Sequence, residues 1–183
     1  IKKGVKAGAI TPVVCCSAFT LAGVDMVLDM ICELMPSPKE ADDEICMDSD
    51  GNPVELICAD DQPLAAFVFK TIADPFVGKM SYVKVLSGKL TADQIPVNTT
   101  TGQPERLGKI IFVKGKKQED TPQIGAGDIG AVTKLAGTNT GDMLCDPSRP
   151  LKCEPMEFPA PCLSIAFKPK AKGDEGKIAQ ALQ

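Results

Sequence analysis

The fold is decided by residues 63–88, which read PLAAFVFKTIADPFVGKMSYVKVLSG. Two strand-like runs, 64–70 and 80–86, flank the turn signal Asp74-Pro75. Two further runs of the same character follow at 108–113 and 129–135. Other turn signals stand at Ser87-Gly88, Thr101-Gly102, Gly125–Asp128 and Thr140–Asp142. Short strands at roughly regular spacing, with no long helix between them, predict a closed β-barrel or sandwich at 62–148.

The composition excludes several kinds of chemistry and partner. The 183 residues include no histidine, which removes Ser-His-Asp and Cys-His catalysis and every zinc site that needs imidazole. The net charge of −4 argues against binding nucleic acid by overall charge, although it leaves open a local basic face. Aromatic residues, at 4%, are too scarce for a base-stacking platform. Because no apolar run is long enough to span a bilayer, we expect no membrane partner, and we expect no DNA partner.

The eight cysteines form no CxxC motif. They stand at positions 15, 16, 32, 46, 58, 145, 153 and 162. The adjacent pair Cys15-Cys16 suits neither a zinc knuckle nor a simple disulfide framework. We therefore predict that the cysteines are small buried apolar residues in a reducing cytosol, with a metal or redox role as the alternative.

The first segment, 1–38, has the pattern of one α/β unit. Residues 10–15 are a short apolar run that predicts a buried strand, and 16–19 follow as a loop. Apolar residues then recur at helical spacing and predict an amphipathic helix over 23–35, which a Pro-Ser-Pro sequence ends. A parallel sheet needs several such units, and the first residue is not Met. We therefore expect the chain to come from a longer protein, with the rest of this domain ahead of it.

Residues 39–61 are rich in acidic side chains and weakly periodic, which predicts a linker or an exposed loop. Within them, residues 48–52 read DSDGN, a faint calcium-loop pattern. With Gly51 as the sixth loop position, the first and twelfth positions would be Cys46 and Ile57, and neither can supply a carboxylate. We therefore predict an exposed turn there and no metal site.

Residues 149–183 have the pattern of a domain that begins and is cut short. A strand is predicted at 162–168, and Asp174 is a suitable N-cap for a helix whose apolar residues share one face. A single strand and a single helix cannot bury their apolar faces alone, so we expect the start of a truncated domain.

Several motifs together resemble the elongation factor G family of translation factors. They occur in the family's order and read DPFVGKM at 74–80, VLSGKL at 85–90, ERLGKI at 105–110, AGDI at 126–129, TGDMLCD at 140–146, MEFPAP at 156–161 and KPKAK at 168–172. The set resembles bacterial elongation factor G or its elongation factor G-like paralogue and centres on the second domain.

The resemblance implies a mainly β fold. The expected order is the end of the GTPase domain, an α/β remnant, at 1–38; an acidic linker at 39–61; a Greek-key translation-factor β-barrel at 62–148; and the start of an α+β third domain at 149–183.

The resemblance also implies a nucleotide contact. CSAF at 16–19 is similar to the last guanine-nucleotide motif, where backbone N–H groups of a tight loop meet the guanine carbonyl, so Ser17, Ala18 and Phe19 are the implied residues. The phosphate-binding loop, the magnesium-binding residues and the guanine-specificity loop do not occur in this sequence. We therefore expect GTP and magnesium in an intact GTPase parent, and neither a catalytic residue, a cofactor nor a metal in this fragment.

In this family the barrel packs against the GTPase domain and leans on small-subunit ribosomal RNA, held through phosphates and sugars. The implied RNA contacts are Lys79, Lys84, Arg106 and Lys109, and Lys114, Lys116 and Lys117 add a basic cluster. Solvated surface charge is the alternative for each of them.

The implied function is that of a cytoplasmic, ribosome-dependent GTPase that promotes translocation. A ribosome protection or recycling factor of the same fold is the second hypothesis, and a stand-alone binding barrel is the third. The 17–18 loop and the helix over 23–35 argue against the third, because an independent barrel has no use for half of an α/β unit.

Overall fold

The computed structural model describes residues 1–41, 45–74, 77–171, 173–174 and 176–178. Its helices are α1 (Lys2–Lys6) and α2 (Val24–Leu34). Its strands are β1 (Cys46–Met47), β2 (Pro53–Val54), β3 (Ala65–Asp74), β4 (Gly78–Ser87), β5 (Leu90–Thr91), β6 (Val97–Asn98), β7 (Gln103–Pro104), β8 (Ile110–Lys114), β9 (Lys117–Asp120), β10 (Gln123–Ile124), β11 (Ile129–Thr133), β12 (Met143–Cys145) and β13 (Lys152–Cys153). Neither α1 nor α2 has the length and apolar character that crossing a membrane requires.

The main sheet is antiparallel, and its described strands follow the order β7-β6-β12-β3-β4-β11-β8-β9. Its centre is the β3–β4 hairpin, which pairs from Ala65 opposite Ser87 to Asp74 opposite Gly78. Gly78 has a φ of 79°, a left-handed conformation that glycine adopts without a steric penalty. All four predicted strands form, and β3 and β4 are longer than the sequence indicated. The prediction of a mainly β fold is confirmed.

One apolar cluster fills the interior of this sheet. It collects side chains from five neighbouring strands: Leu144 on β12, Val68 on β3, Val83 on β4, Val132 on β11 and Ile110 on β8. Leu90 on β5 and Ile124 on β10 join it from a separate two-stranded pair. Because side chains from so many strands meet in one cluster, the sheet must curve around it as a barrel does. Each fully buried Val, Leu or Ile side chain stabilises the barrel by about 1.5–3 kcal/mol.

The described part of the segment 39–61 is mostly exposed, as its acidity predicted, but it also contains two short strands and two buried residues. β1 lies between β2 and β13 in a three-stranded antiparallel sheet. Cys46 and Leu56 are buried in one cluster with Leu151. The sequence did not indicate this small sheet, because its strands are only two residues long and β13 is far away in the sequence.

The exposed turn predicted at 48–52 is confirmed. The Asp48 carboxylate accepts hydrogen bonds from the backbone N–H groups of Asp50 (2.9 Å) and Asn52 (2.8 Å). The hydrogen bonds from Asn52 contribute most to lowering the pKa of Asp48 below its usual value, and the hydrogen bond from Asp50 adds to them. The turn at 48–52 is therefore stabilised by the side chain of Asp48, one of the acidic residues that made this segment look like a loop.

The prediction of buried, reduced cysteines is wrong at most positions. Cys46 and Cys153 face each other across the β1–β13 pair, with Cα atoms 4.3 Å apart, and are joined by a disulfide bond. Among the free thiols, Cys145 is buried and Cys58 is half-buried. The exposed thiols are those of Cys15, Cys16, Cys32 and Cys162. These four lie in the terminal segments, whose apolar side chains have little cover among the described residues.

The buried strand predicted at 10–15 is not formed. Residues 10–16 pair with no strand in the described part of the chain, and Val13 is 86% exposed. An apolar run becomes a strand only where a neighbouring strand meets its backbone groups. The helix predicted at 23–35 is confirmed as α2, although none of its residues is fully buried.

The strand predicted at 162–168 is also absent. Leu163 is 76% exposed, and residues 154–168 form neither helix nor strand. A helical turn is present at 176–178, and residues 179–183 of the predicted helix lie outside the described residues. The Asp174 carboxylate, expected to cap that helix, contacts Lys177 Nζ at 2.7 Å.

Candidate nucleotide loop and basic edge

The loop predicted to meet guanine is a tight turn that its own polar groups stabilise. The N–H of Ser17 donates to the carbonyl of Ala22 at 2.9 Å, and Ser17 Oγ accepts from the N–H of Thr20 at 3.2 Å. Leu21 and Gly23 have φ values of 60° and 75°, which direct the chain into α2. Ser17 therefore builds the loop and keeps no free backbone donor for a ligand.

Ala18 and Phe19 are the donors that this loop leaves open. Among the described residues, nothing accepts a hydrogen bond from either backbone N–H, and Phe19 is 98% exposed. Two adjacent N–H groups on a turn suit a carbonyl oxygen. Within the same residues, no group of three or more His, Cys, Asp or Glu side chains is placed to hold a metal ion. The guanine contact remains a prediction, as does the magnesium of an intact parent.

Two segments, one leading into β8 and one continuing from the end of β11, bring basic residues together. Residues 105–109 run antiparallel to 133–137 and are tied to them at both ends. The ties are Gly137 N–H to Glu105 Oε1 at 2.6 Å, Lys109 N–H to Thr133 Oγ1 at 3.0 Å and Thr133 N–H to Lys109 O at 3.0 Å. Side chains at this junction are thus presented from a fixed backbone.

Arg106 and Lys109 point into solvent from the first of these segments. Glu105 and Leu107 are buried on either side of Arg106, so the alternation of the chain turns the guanidinium outward. Lys109 Nζ lies 2.8 Å from the carboxylate of Asp120. An exposed pair of this kind contributes about 0–1 kcal/mol, so Lys109 can exchange it for a phosphate at little cost.

Lys134 lies beside Lys79, and the sequence did not single it out. The N–H of Lys134 donates to the carbonyl of Lys79 at 2.9 Å. Lys134 is exposed and has a φ of 60°, which is uncommon for a residue other than glycine. Lys79 is half-buried, and its Nζ donates to Asn139 Oδ1 at 3.2 Å. No pattern in the sequence distinguishes Lys134 from an ordinary surface lysine.

These contacts place four cations at one end of β4, β11 and β8. Thr133 pairs with Met80 on one side and bonds Lys109 on the other, so the neighbouring lysines follow each other across three strands. We name this set the basic edge, and it consists of Lys79, Arg106, Lys109 and Lys134.

Lys84 does not belong to the basic edge. It lies five residues from Lys79 on β4, about 16 Å along the strand. The structure therefore gathers three of the four predicted RNA contacts, and the RNA role of all four remains a prediction.

The basic cluster at Lys114, Lys116 and Lys117 lies on the β8–β9 hairpin. Glu119 contacts both Lys114 Nζ at 2.9 Å and Lys117 Nζ at 2.8 Å. Hydrogen bonds from Lys117 and then Lys114 lower the pKa of Glu119 below its usual value. Two of the three positive charges in the cluster therefore share one carboxylate.

Two comparisons with known proteins bear on this chain. Residues 63–147 match a family model described as elongation factor G domain 2. A crystal structure of a protein from Thermus thermophilus is similar to 99% of this chain, with a TM-score of 0.73 and 28% sequence identity. The similarity covers 25% of that protein, so the present chain spans about a quarter of its length.

Proposed function

This chain carries the second domain of the elongation factor G family at residues 63–147, and on that premise we propose that it belongs to a ribosome-dependent GTPase that promotes translocation in the cytoplasm. In this proposal the barrel packs against the GTPase domain and docks on small-subunit ribosomal RNA. The basic edge is the surface that makes the RNA contact.

The single observation that carries the RNA contact is the basic edge itself. Four cations from three segments converge on one end of a barrel although the chain has a net charge of −4. RNA helices present phosphates and 2′-hydroxyls at their surface, and phosphate contacts supply most of the affinity for a basic surface. A fixed backbone under these side chains reduces the entropy that ordering them on RNA would cost.

The nucleotide contact in the proposed GTPase is limited to the base. The proposal is supported by the turn that Ser17 closes, in which the N–H groups of Ala18 and Phe19 have no acceptor among the described residues. Phosphates and magnesium would be held by residues that this chain does not supply. GTP hydrolysis is therefore proposed for the longer protein alone.

Binding to small ribosomal subunits tests the docking step. The 183-residue chain is titrated against purified bacterial small subunits over a series of salt concentrations. We expect binding that weakens as salt rises. Arg106→Gln, Lys109→Gln and Lys134→Gln together should weaken binding and flatten the salt dependence by about one unit of logarithmic slope for each phosphate contact removed.

The control is the triple variant Lys114→Gln, Lys116→Gln and Lys117→Gln, which removes the same charge from the β8–β9 hairpin. It should bind nearly as the parent chain does. An equal loss in both variants would mean that overall charge decides binding, and undetectable binding of the parent chain would contradict docking through the barrel.

The GTPase step is tested on the longer protein that contains this chain. Hydrolysis of GTP is measured with and without vacant ribosomes, followed by polypeptide synthesis. Stimulation together with synthesis supports a translocase. Stimulation without synthesis would favour a ribosome protection or recycling factor, and the absence of stimulation would overturn the proposal.

A further inference from the structure

The two sulfur atoms of the Cys46–Cys153 disulfide have different surroundings. Cys46 is fully buried, in one apolar cluster with Leu56 and Leu151. Cys153 is half-buried and lies on β13, the last strand before an exposed segment. A reagent that approaches from solvent therefore meets the sulfur of Cys153 first.

Two cavities that Cys153 borders support this asymmetry. One, of about 400 Å³, is lined by Thr99, Thr100, Asp142, Lys152 and Met156 among others. The other, of about 470 Å³, is lined by Ile45, Phe67 and the carboxylate side chains Glu154 and Glu157. Cys153 borders both cavities and Cys46 borders neither. The first is the better entrance for an anionic thiol, because its lining balances the carboxylate of Asp142 with Lys152 and threonine hydroxyls, whereas the described lining of the second has two carboxylates and no cation.

The neighbouring thiol is unsuited to attack the disulfide. Cys145 packs in the same apolar cluster, and its Sγ donates to the carbonyl of Leu151 at 3.7 Å. Burial raises the pKa of Cys145 to about 11, and the thiolate is the form that attacks a disulfide. With Cys145 ruled out as the attacking group, a thiol from solvent is the reagent that the cavities beside Cys153 admit.

We propose that Cys153 is a site of reversible thiol–disulfide exchange with a small anionic thiol. The thiolate of that molecule bonds to Cys153 Sγ, the Cys46–Cys153 bond breaks, and Cys46 leaves as a thiolate that takes a proton. A second small thiol then attacks the mixed disulfide at the sulfur of the first, which releases Cys153 as a thiol. The disulfide gains two electrons, and the two small thiols lose two as they become one disulfide. The reverse reaction, with the oxidised small molecule, restores the bond.

Exchange at this site changes how firmly the segment after Leu151 is held to the rest of the structure. Leu151 remains held in either state, because it is buried and its carbonyl accepts a hydrogen bond of 2.7 Å from Thr99 Oγ1. Beyond it, β13 is joined to β1 by only two residue pairs once the disulfide is open. Reduction therefore loosens the segment from residue 152 onward and leaves the barrel intact. The cytoplasmic setting, in which such a bond would be cycled rather than permanent, rests on the proposed function, whereas the chemistry of the site does not.

Glutathione buffers of varied ratio test the proposal on the intact chain. After equilibration, free thiols are blocked with an alkylating reagent and the disulfides are mapped by mass spectrometry. We expect the Cys46–Cys153 bond to open and close reversibly while Cys145 remains a thiol throughout. Hydrogen exchange of residues 152–158 should increase on reduction, with little change in β3 and β4.

Two single variants test the direction of attack. In Cys46→Ser, Cys153 should form a mixed disulfide with glutathione disulfide about tenfold or more faster than Cys46 does in Cys153→Ser, because only the former sulfur borders the cavities. Should either variant fail to fold, brief exposure of the unaltered chain to reduced glutathione, followed by acid quenching, gives the same information. The trapped mixed disulfide should then be on Cys153. Equal rates, trapping on Cys46, or no disulfide in the most oxidising buffer would each overturn the proposal, and none of these results depends on ribosome binding.

Discussion

Glu105, only 5% exposed, accepts a hydrogen bond of 2.6 Å from the backbone N–H of Gly137. This contact joins the segment that presents Arg106 to the segment that follows Lys134. Short hydrogen bonds to a carboxylate are among the stronger ones in proteins. The order of the basic edge therefore depends on a side chain buried beneath it.

Replacing Glu105 should destabilise the barrel. Glu105→Ala removes the acceptor of the Gly137 N–H, and because Gly137 is exposed, water can take the place of the carboxylate, so we expect a loss of about 0.5–1.5 kcal/mol in the free energy of unfolding. Glu105→Gln keeps an acceptor oxygen and should lose less. Urea denaturation of both variants measures the difference, and equal losses would show that the hydrogen bond contributes nothing beyond packing.

Gly108 should not tolerate a side chain. A Cβ at this position would overlap the carbonyl oxygen of Thr133 and come within 2.8 Å of its Oγ1. Gly108→Ala should therefore lower stability by about 1–3 kcal/mol, as overpacking of a core does.

Gly115 provides the matched control, because it lies at the β8–β9 turn with a φ of 63° and a Cβ there would meet no atom within 4 Å. Gly115→Ala should cost about 1–2 kcal/mol from backbone conformation alone. Thermal unfolding measures both losses, and RNA binding separates the two variants, because only Gly108→Ala should also disturb the basic edge. Unchanged RNA binding in Gly108→Ala would contradict this link.

Asn98 should be among the most sensitive polar positions. Its fully buried amide donates to Asp142 Oδ2 at 2.9 Å and to Thr138 Oγ1 at 3.2 Å. Its oxygen accepts from the N–H groups of Thr100 and Thr101. Asn98→Ala should cost about 1–3 kcal/mol for each buried group left unpaired.

The exposed neighbour Thr101 is the control for this variant. Thr101→Ala keeps the backbone N–H that donates to Asn98 and loses only an exposed hydrogen bond of 3.3 Å from the N–H of Gln103, so it should change stability by no more than about 0.5 kcal/mol. Urea midpoints for the two variants give the comparison, and similar values would argue that the buried network does not stabilise the barrel.

Acid should release the contact that Glu40 makes. The N–H of Ser37 donates to Glu40 Oε2 at 3.0 Å, and Lys2 Nζ lies 3.0 Å from Oε1. The Ser37 hydrogen bond, followed by the Lys2 hydrogen bond, lowers the pKa of Glu40 from 4.5 to about 2. Since the folded-state pKa lies below the unfolded one, the stabilisation is present above pH 4.5 and is lost as the pH falls toward 2. The chemical shift of the Glu40 carboxyl, followed by NMR, should give a titration midpoint near pH 2. Glu40→Gln should abolish the pH dependence of the contact. A titration midpoint near 4.5 would contradict the prediction.

The parts of the fold that the sequence predicted are those set by neighbouring residues. The β3–β4 hairpin follows from two apolar runs around one turn, and α2 follows from its own periodicity. The pairing of Cys46 with Cys153 could not be predicted, because the two are separated by 107 residues and their strands are two residues long.

At 10–15 and 162–168 the sequence predicted strands that the structure does not form. Their composition is that of strands, but no strand in the described ranges pairs with them. In the basic edge, the positions of Lys79, Arg106 and Lys109 were predicted from motifs that resemble those of the family. Lys134 was not predicted, because it is held beside Lys79 by a backbone hydrogen bond that no sequence pattern indicates.

The disulfide closes the chain from Cys46 to Cys153 into a covalent loop, and the residues of the barrel are part of that loop. A protease that cuts once at the exposed Lys116 turn would therefore release no fragment. The nicked protein would gain only the mass of one water and would migrate as a single species until a reductant separated its two pieces. Because the ends of the loop lie 4.3 Å apart at Cα, the barrel is also suited to circular permutation, with a short peptide joining those ends and new termini at the β8–β9 turn.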